Sequence, residues 1–150
     1  MLKRDYDTQT CSIARALEVV GERWSLLIVR SVFLGVRRFD DLLEDLGITR
    51  SVLTARLKRL VDEGVLERVP YQERPTRYEY RPTAKGLELF PVTMHLMRWG
   101  DAHYPDPKGP PRIVEHRDCG GHPDDHLVCD RCAEPLTPRN VVSLPGPALL

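Results

Sequence analysis

Two short pairs of metal-binding side chains lie near the carboxyl end of the sequence. His116 and Cys119 are separated by two residues, and Cys129 and Cys132 have the same spacing. A pair of soft ligands at this spacing can bind one side of a tetrahedral Zn²⁺ from a single turn. The pattern H-x2-C-x9-C-x2-C therefore predicts one structural Zn²⁺ site. Because all four ligands would come from the protein, such a site is closed and implies no hydrolytic chemistry.

Two other interpretations of these residues stay open. The thiols could pack against the body of the protein, or Cys129 and Cys132 could form a redox pair, although this Pro-rich segment lacks the βαβ context of a thioredoxin-like site. His122 and His126 are alternative imidazole ligands to His116. Few large apolar residues occur after residue 104, so a metal would supply stability that burial does not.

The remaining cysteine, Cys11, stands alone at the start of a predicted helix. Unpaired N–H groups and the helix dipole favour a thiolate at such a position and raise its reactivity. Cys11 is therefore a candidate redox sensor. The alternative is a small, buried and inert side chain.

Composition excludes several classes of protein. The chain has 150 residues, of which 41% are hydrophobic and 29% charged, enough to form a core without disulfide bonds. No apolar run approaches the ~18 residues of a membrane span, which excludes an integral membrane protein. The first ten residues contain no apolar signal region, so we expect a cytoplasmic, reducing location in which cysteines bind metals or react.

The charge balance is uneven along the chain. Basic and acidic residues number 22 each, but the segment 50–81 contains 8 basic and 5 acidic residues. Attraction to a phosphate backbone depends on the local basic patch that contacts it rather than on the net charge of the whole chain. A neutral chain is therefore compatible with nucleic-acid binding.

The apolar spacing before residue 65 predicts four short helices, each ended by glycine. They run from Ser12 to the stop at Gly21, over Trp24–Leu34, over Asp40–Leu46, and from a Thr49/Ser51 start to the stop at Gly64. The fourth has an apolar stripe and an opposite polar, basic face.

A hairpin and a further helical region follow. Alternation predicts strands over 65–69 and 78–81, with a polar, basic tip over 72–77. After Thr83, a good N-cap, a long apolar stripe is interrupted at Pro91. Three short helices and a hairpin can place one helix in a DNA groove about 12 Å wide and the hairpin tip in a neighbouring groove.

Five segments in order resemble the HxlR-type transcriptional regulators, winged-helix relatives of the MarR group. They are ARAL at 14–17, GERWSLLI at 21–28, RFDDL at 38–42, LTARLKRL at 53–60 and RYEYRPT at 77–83. The resemblance covers roughly 11–104. It implies a homodimer in which the first and last helices pair, with each subunit reading half of an inverted repeat.

The resemblance also bears on individual residues. Some family members sense oxidants through a cysteine at the position of Cys11, although Ser12 stands where proline is commoner. Oxidation of Cys11 would then alter the dimer and release DNA. We expect Trp24 and Trp99 to pack in the core or the dimer interface. The candidate DNA-binding residues are Arg50, Ser51 and Thr54 for base edges, Arg38, Arg56 and Lys58 for phosphates, and Arg74 and Arg77 in the wing.

These observations together predict the organisation of the chain. Nine of the 13 prolines follow residue 104. We expect an N-terminal arm (1–10), a winged helix-turn-helix domain (11–104), a Pro-rich linker (105–111) and a Cys/His tail (112–150) that begins with a strand over Arg112–Glu115 and frays over Val141–Leu150. The predicted fold is mainly α (α+β), a winged helix-turn-helix with dimerising terminal helices and a small zinc-ribbon-like appendage.

The predicted function is sequence-specific DNA binding by a homodimeric transcriptional regulator, acting as a repressor. It is not an enzyme, because no Gly-rich phosphate loop, nucleophile elbow or H-E-x-x-H motif occurs. The alternatives are a winged-helix module that binds a protein partner within a larger complex, and a thiol redox protein that uses Cys129 and Cys132.

Overall fold

The computed structural model describes residues 5–150, so the predicted N-terminal arm lies partly outside the described residues. The order of elements is that of a winged helix-turn-helix followed by a long helix and a second small sheet. The elements are α1 (Ser12–Val20), α2 (Ser25–Phe33), α3 (Phe39–Leu46), α4 (Arg50–Asp62), β1 (Leu66–Glu73), β2 (Thr76–Pro82), α5 (Ala84–Leu87), α6 (Phe90–His103), β3 (Arg112–His116) and β4 (Val141–Pro145), then a 3-10 turn over Pro147–Leu149.

The four predicted helices before residue 65 are confirmed, and their packing explains their positions. Helix α2 contributes most of its side chains to the core, because only Leu27 and Arg30 of its nine residues are exposed. Fully buried side chains from three helices form the core, together with the first residue of β1. They are Ile28, Val29, Val32, Leu42, Leu53, Leu57, Leu60 and Leu66.

Helices α2 and α3 are also joined by a polar contact within this packing. The buried Ser31 hydroxyl donates to Asp45 Oδ2 at 2.6 Å, and Arg30 lies 3.5 Å from the same oxygen. A buried hydroxyl needs such a partner, because desolvation without a hydrogen bond costs about 1–3 kcal/mol. The contact fixes α3 against α2, ahead of the turn into α4.

The wing is an antiparallel hairpin of β1 and β2 with an irregularity between Pro70 and Gln72. It is attached to the segment before α3, since the Tyr80 N–H donates to the Arg37 carbonyl at 2.7 Å. Arg38 and Glu79 form an isolated β-bridge at the same place. These bonds orient the hairpin relative to α3.

The predicted helix after Thr83 is present as two separate pieces. Thr83 caps α5, accepting from the Gly86 N–H at 3.0 Å. Gly86 lies against the start of the wing, where an added Cβ would be 2.0 Å from the Val65 carbonyl oxygen. Of the two outcomes that Pro91 predicts, a kink or a restart, the structure has the restart. Pro91 lies in the first turn of α6, where its missing N–H costs no hydrogen bond.

By internal packing the chain divides into one unit that ends at Leu87 and a second, Glu88–Leu150. In the second unit β3 pairs with β4, with His116 opposite Val141 and Arg112 opposite Pro145. The predicted fraying of Val141–Leu150 is wrong for this strand. Its β-branched residues complete a ladder whose partner is distant in sequence, which local pattern does not reveal.

The predicted strand at the start of the tail is confirmed as β3. The division into arm, domain, linker and tail stays a prediction; the Pro-rich segment 105–111 lies inside the second unit, together with α6. Among the described residues no helix is both long enough and apolar enough to cross a bilayer.

Candidate DNA-binding surface and metal centre

The turn between α3 and α4 presents the first turn of α4 to solvent. Helix α3 ends at Gly47 in the left-handed conformation, with φ of 62°. Thr49 then caps α4, its hydroxyl accepting from the Val52 N–H at 3.3 Å. Burial of the apolar stripe of α4 against α2 leaves the side chains of Arg50, Ser51 and Thr54 exposed. This is the position of the recognition helix in a helix-turn-helix.

Arg50, the first residue of α4, is held loosely by α3. Its Nη2 lies 3.1 Å from Asp40 Oδ1, and both side chains are largely exposed. The guanidinium also lies over the Phe39 ring, 5.5 Å from the ring centroid. An exposed ion pair is worth about 0–1 kcal/mol, so Arg50 can exchange Asp40 for an anion or a base edge at little cost.

The wing and α3 enclose a groove of about 540 Å³ beside this turn. Three predicted residues line it, Arg38, Arg50 and Arg77. The Arg38 guanidinium lies over the Tyr71 ring, 4.0 Å from the ring centroid, a cation–π contact that orients it. Arg74, at the hairpin tip, is exposed but does not line the groove.

Sequence reasoning missed the tyrosines of this groove. Tyr71, Tyr78 and Tyr80 line it from the two strands of the wing. The spacing of two between Tyr78 and Tyr80 in a predicted strand places them on one face and could have indicated them. Tyr71 follows the strand irregularity at Pro70 and had no such signal.

Two of the predicted phosphate contacts have intramolecular partners. The Nε of Arg56 donates to the Arg23 carbonyl at 3.1 Å, and its Nη2 lies 3.3 Å from Glu22 Oε2. These contacts join α4 to the turn between α1 and α2. Lys58 pairs with Asp62 one turn later at 2.6 Å and stays well exposed. Lys58 is therefore the more available of the two to a phosphate.

The four predicted metal ligands come together in the tail. Nδ1 of His116 lies 3.3 Å from Sγ of both Cys119 and Cys132, and Sγ of Cys119 lies 3.4 Å from Sγ of Cys129. All four ligand atoms lie within 4.8 Å of one another. His116 and Cys129 are 1% and 2% exposed, so the cluster is partly enclosed.

The distances fit a tetrahedral zinc ion. Zn–S bonds of about 2.3 Å and Zn–N bonds of about 2.0–2.1 Å give S–S edges of about 3.8 Å and S–N edges of about 3.6 Å, a few tenths more than the distances here. Gly121 leaves the necessary space, because a Cβ there would lie 2.4 Å from Sγ of Cys129. The donor set of three thiols and one imidazole is typical of structural zinc.

Neighbouring groups move the pKa values of two thiols in opposite directions. Burial raises the pKa of Cys129, but the backbone N–H groups of Cys132 and Arg131, with the thiol of Cys119, lower it to about 6. At Cys132 the backbone N–H of Glu134 lowers the pKa, whereas desolvation and the other two thiols raise it to about 11. These opposite shifts favour a thiolate at Cys129 over one at Cys132.

The two alternative histidines lie outside the cluster. His122 has its Nδ1 3.1 Å from the Val114 carbonyl, where it donates a hydrogen bond within the tail. His126 is not among the clustered ligands of the described residues, and its backbone N–H donates to Asp124 Oδ1 at 2.8 Å. Of the three candidates, His116 alone has its ring at the thiols.

Cys11 and the exposed apolar stripes lie elsewhere on the fold. Cys11 is the N-cap residue of α1, half-buried and free of any disulfide, which confirms its predicted place at a helix start. Trp24 is half-buried and precedes α2, whereas Trp99 on α6 is 55% exposed. Apolar side chains on α1 and α6 are also exposed, namely Ile13, Leu17, Val92 and Leu96.

The chain is similar to helix-turn-helix transcriptional regulators over most of its length. Residues 19–108 match the model of the HxlR-like helix-turn-helix family. An uncharacterized HTH-type transcriptional regulator of Mycobacterium tuberculosis is 52% identical over 136 residues, which are 91% of this chain and 86% of the relative.

Solved structures agree with this similarity. PA1607, described as a candidate transcription factor, is 36% identical, with a TM-score of 0.72 over 88% of this chain and 92% of its own. The reduced form of the transcriptional regulator YodB from B. subtilis is 30% identical, with a TM-score of 0.54 over 64% of this chain and 96% of its own. The chain belongs to the HxlR family of winged helix-turn-helix, DNA-binding transcriptional regulators.

Proposed function

We propose that the chain is a homodimeric repressor that reads an inverted-repeat operator with α4, and that it is not an enzyme. The observation that carries this proposal is the exposed first turn of α4 beside the groove lined by Arg38, Arg50 and Arg77. Short polar side chains let a helix approach base edges, and arginines on either side neutralise phosphates. A dimer bound at a promoter represses by occupying DNA that the polymerase needs.

Each predicted residue has a role in this proposal. Arg50, Ser51 and Thr54 face base edges from the start of α4. Arg38, Arg56 and Lys58 bind phosphates, and Arg74 and Arg77 carry the wing to the adjacent minor groove. Because Arg56 already joins α4 to the preceding turn, its phosphate contact would use only its outer N–H groups.

The dimer would be formed by the exposed apolar side chains of α1 and α6. Leu96 and Trp99 are 52% and 55% exposed, and Ile13 on α1 is 71% exposed. Burial of such side chains is worth about 25 cal/mol per Å² of apolar area. For such a dimer we expect half-sites about one helical turn or a multiple apart.

The tail cluster would hold one structural Zn²⁺ through His116, Cys119, Cys129 and Cys132. The ion would neutralise the thiolates and join the segment of His116 and Cys119 to that of Cys129 and Cys132. No open coordination position would remain for catalysis. Metal analysis of protein purified without chelators tests this point. We expect one zinc per chain, and protein with four titratable free thiols and no zinc would favour packed thiols instead.

Cys11 would make DNA binding sensitive to oxidants. Its place at the start of α1, a helix of the proposed dimer interface, supports this role. The structural relative YodB is described in a reduced form, which supports thiol chemistry in a regulator of this fold. Treatment with peroxide should weaken operator binding by the wild type and leave Cys11→Ser unaffected.

Selection of bound fragments from a random DNA pool tests the main proposal. We expect an inverted repeat, bound by two chains, whose affinity falls steeply with salt. Lys58→Ala should weaken all sequences equally and reduce the salt slope by about one, whereas Thr54→Ala should relax one base position by about 1–3 kcal/mol. Absence of any enriched motif would favour the protein-binding alternative, and reduction of disulfide substrates by the chain would favour the redox alternative.

A further inference from the structure

The two ring nitrogens of His116 face different partners. The ring is buried, with 1% of its surface exposed. On one side Nδ1 faces the thiols of Cys119 and Cys132 at 3.3 Å each. On the other side Nε2 faces two carboxylates, at 3.4 Å from Glu134 Oε2 and 3.9 Å from Asp118 Oδ2.

The Nε2 atom needs an acceptor. It is buried and has no hydrogen bond of good geometry to any described residue. When Nδ1 binds a cation, the neutral imidazole carries its proton on Nε2, which must donate. A buried N–H without an acceptor costs about 1–3 kcal/mol, so the nearest carboxylate is the natural partner.

Glu134 is better placed than Asp118 for this role. It is closer by half an ångström, and its backbone is tied to the cluster, because the Cys129 N–H donates to the Glu134 carbonyl at 2.8 Å. A shift of a few tenths of an ångström brings Oε2 to ordinary hydrogen-bond distance of Nε2. Asp118 is the more exposed of the two, at 81% against 61%.

We propose that Glu134 is a positioning residue of the metal site, which accepts the Nε2 proton of His116 and so directs Nδ1 to the Zn²⁺. This inference rests on the proposed zinc site and deepens it, because it assigns the ligand atom of His116. The carboxylate fixes the tautomer and the ring orientation and makes Nδ1 a stronger electron donor. Glu134 itself does not contact the metal.

Competition titrations with a chromogenic zinc chelator measure the effect on affinity. Loss of an outer carboxylate partner costs about 10–100-fold in metal affinity. We therefore expect Glu134→Ala to weaken zinc binding by at least tenfold. Glu134→Asp keeps the charge but loses reach, and it should also weaken binding, whereas Glu134→Gln keeps an acceptor oxygen at the same reach and should recover part of the affinity.

Asp118→Asn is the matched control, because it removes one nearby negative charge from the same side of His116. It should change zinc affinity less than threefold. If Asp118→Asn and Glu134→Ala lowered zinc affinity equally, long-range attraction between carboxylate and metal would explain both changes. That result would overturn the inference. Unchanged affinity in Glu134→Ala would do the same.

The tautomer gives a second readout, which general destabilisation does not alter. In ¹⁵N-histidine-labelled protein loaded with ¹¹³Cd²⁺, we expect coupling of the metal to Nδ1 of His116 and a proton on Nε2. Coupling to Nε2 would refute the role of Glu134 while leaving the zinc site intact. A wild-type chain that takes up no metal would instead refute the zinc proposal, and this inference with it.

Discussion

Arg98 on α6 donates a hydrogen bond to the Pro123 carbonyl, with Nη1 and the oxygen 3.0 Å apart. Its Nη2 also contacts Asp125. Pro123 is paired with Cys129, a member of the thiol cluster, in a β-bridge. Helix α6, which carries exposed apolar side chains, is therefore connected to the thiol cluster through a short series of contacts: Arg98 contacts Pro123, and Pro123 pairs with Cys129.

Arg98→Ala should loosen the tail from α6. The contact to a half-buried carbonyl by a charged donor is worth about 1–2 kcal/mol, so we expect the free energy of unfolding to fall by about that amount. Hydrogen exchange of the Asp124 and Val128 amides should become faster. Asp125→Asn removes only an exposed partner and should cost less than about 0.5 kcal/mol. Equal effects of the two variants would show that the carbonyl contact contributes nothing.

Gly121→Ala should disrupt the proposed metal site by steric overlap alone. The new Cβ would lie 2.4 Å from Sγ of Cys129 and 2.8 Å from Cβ of Arg131. Overpacking of this kind costs about 1–3 kcal/mol, and we expect zinc affinity to fall at least tenfold.

Gly100→Ala is the matched control for this variant, because no atom lies within 4 Å of a Cβ at Gly100. Within a helix the change should be neutral or stabilise by up to about 1 kcal/mol. Thermal unfolding and zinc titration of both proteins measure the difference. Tolerance of alanine at position 121 would contradict the close approach of the thiol.

Arg56→Ala should lower the free energy of unfolding of the winged helix, because Arg56 has a structural role in addition to its proposed phosphate contact. Its guanidinium joins α4 to the carbonyl of Arg23 and to Glu22, and its side chain is only 26% exposed. We expect a loss of about 1–2 kcal/mol in urea unfolding. Lys58→Ala, at an exposed site, should cost less than about 0.5 kcal/mol. The opposite order of stabilities would mean that the Arg56 contacts are not maintained in solution.

Leu96→Glu should prevent dimerisation. The side chain is half exposed on α6, and a charge buried in an apolar interface without a partner is strongly unfavourable. Sedimentation should give a monomer with a circular dichroism spectrum like that of the wild type. Leu144→Glu makes the same change at an exposed side chain of β4, which is not part of the proposed interface, and should sediment as the wild type does. A dimeric Leu96→Glu protein would place the interface elsewhere.

Local patterns were sufficient to predict the helices of the first unit. A run of regularly spaced apolar residues that ends at Gly47 or Gly64 lies within one helix and can be recognised from the sequence. The two-residue spacing between His116 and Cys119 is local in the same way. Contacts between distant elements gave no such signal. The strand that pairs Val141 with His116, the Arg98 contact to the tail and the interaction of Nε2 with Glu134 each depend on segments that the chain brings together only on folding.

The pairing of His116 with Val141 has a consequence for the order in which the molecule is made. The unit that ends at Leu87 is complete in sequence before any metal ligand has been synthesised. Domains generally fold in the order in which they leave the ribosome. The helix-turn-helix can therefore fold before the residues of the proposed zinc site exist, and metal capture at that site would be a late step that follows the synthesis of Cys132 and of β4.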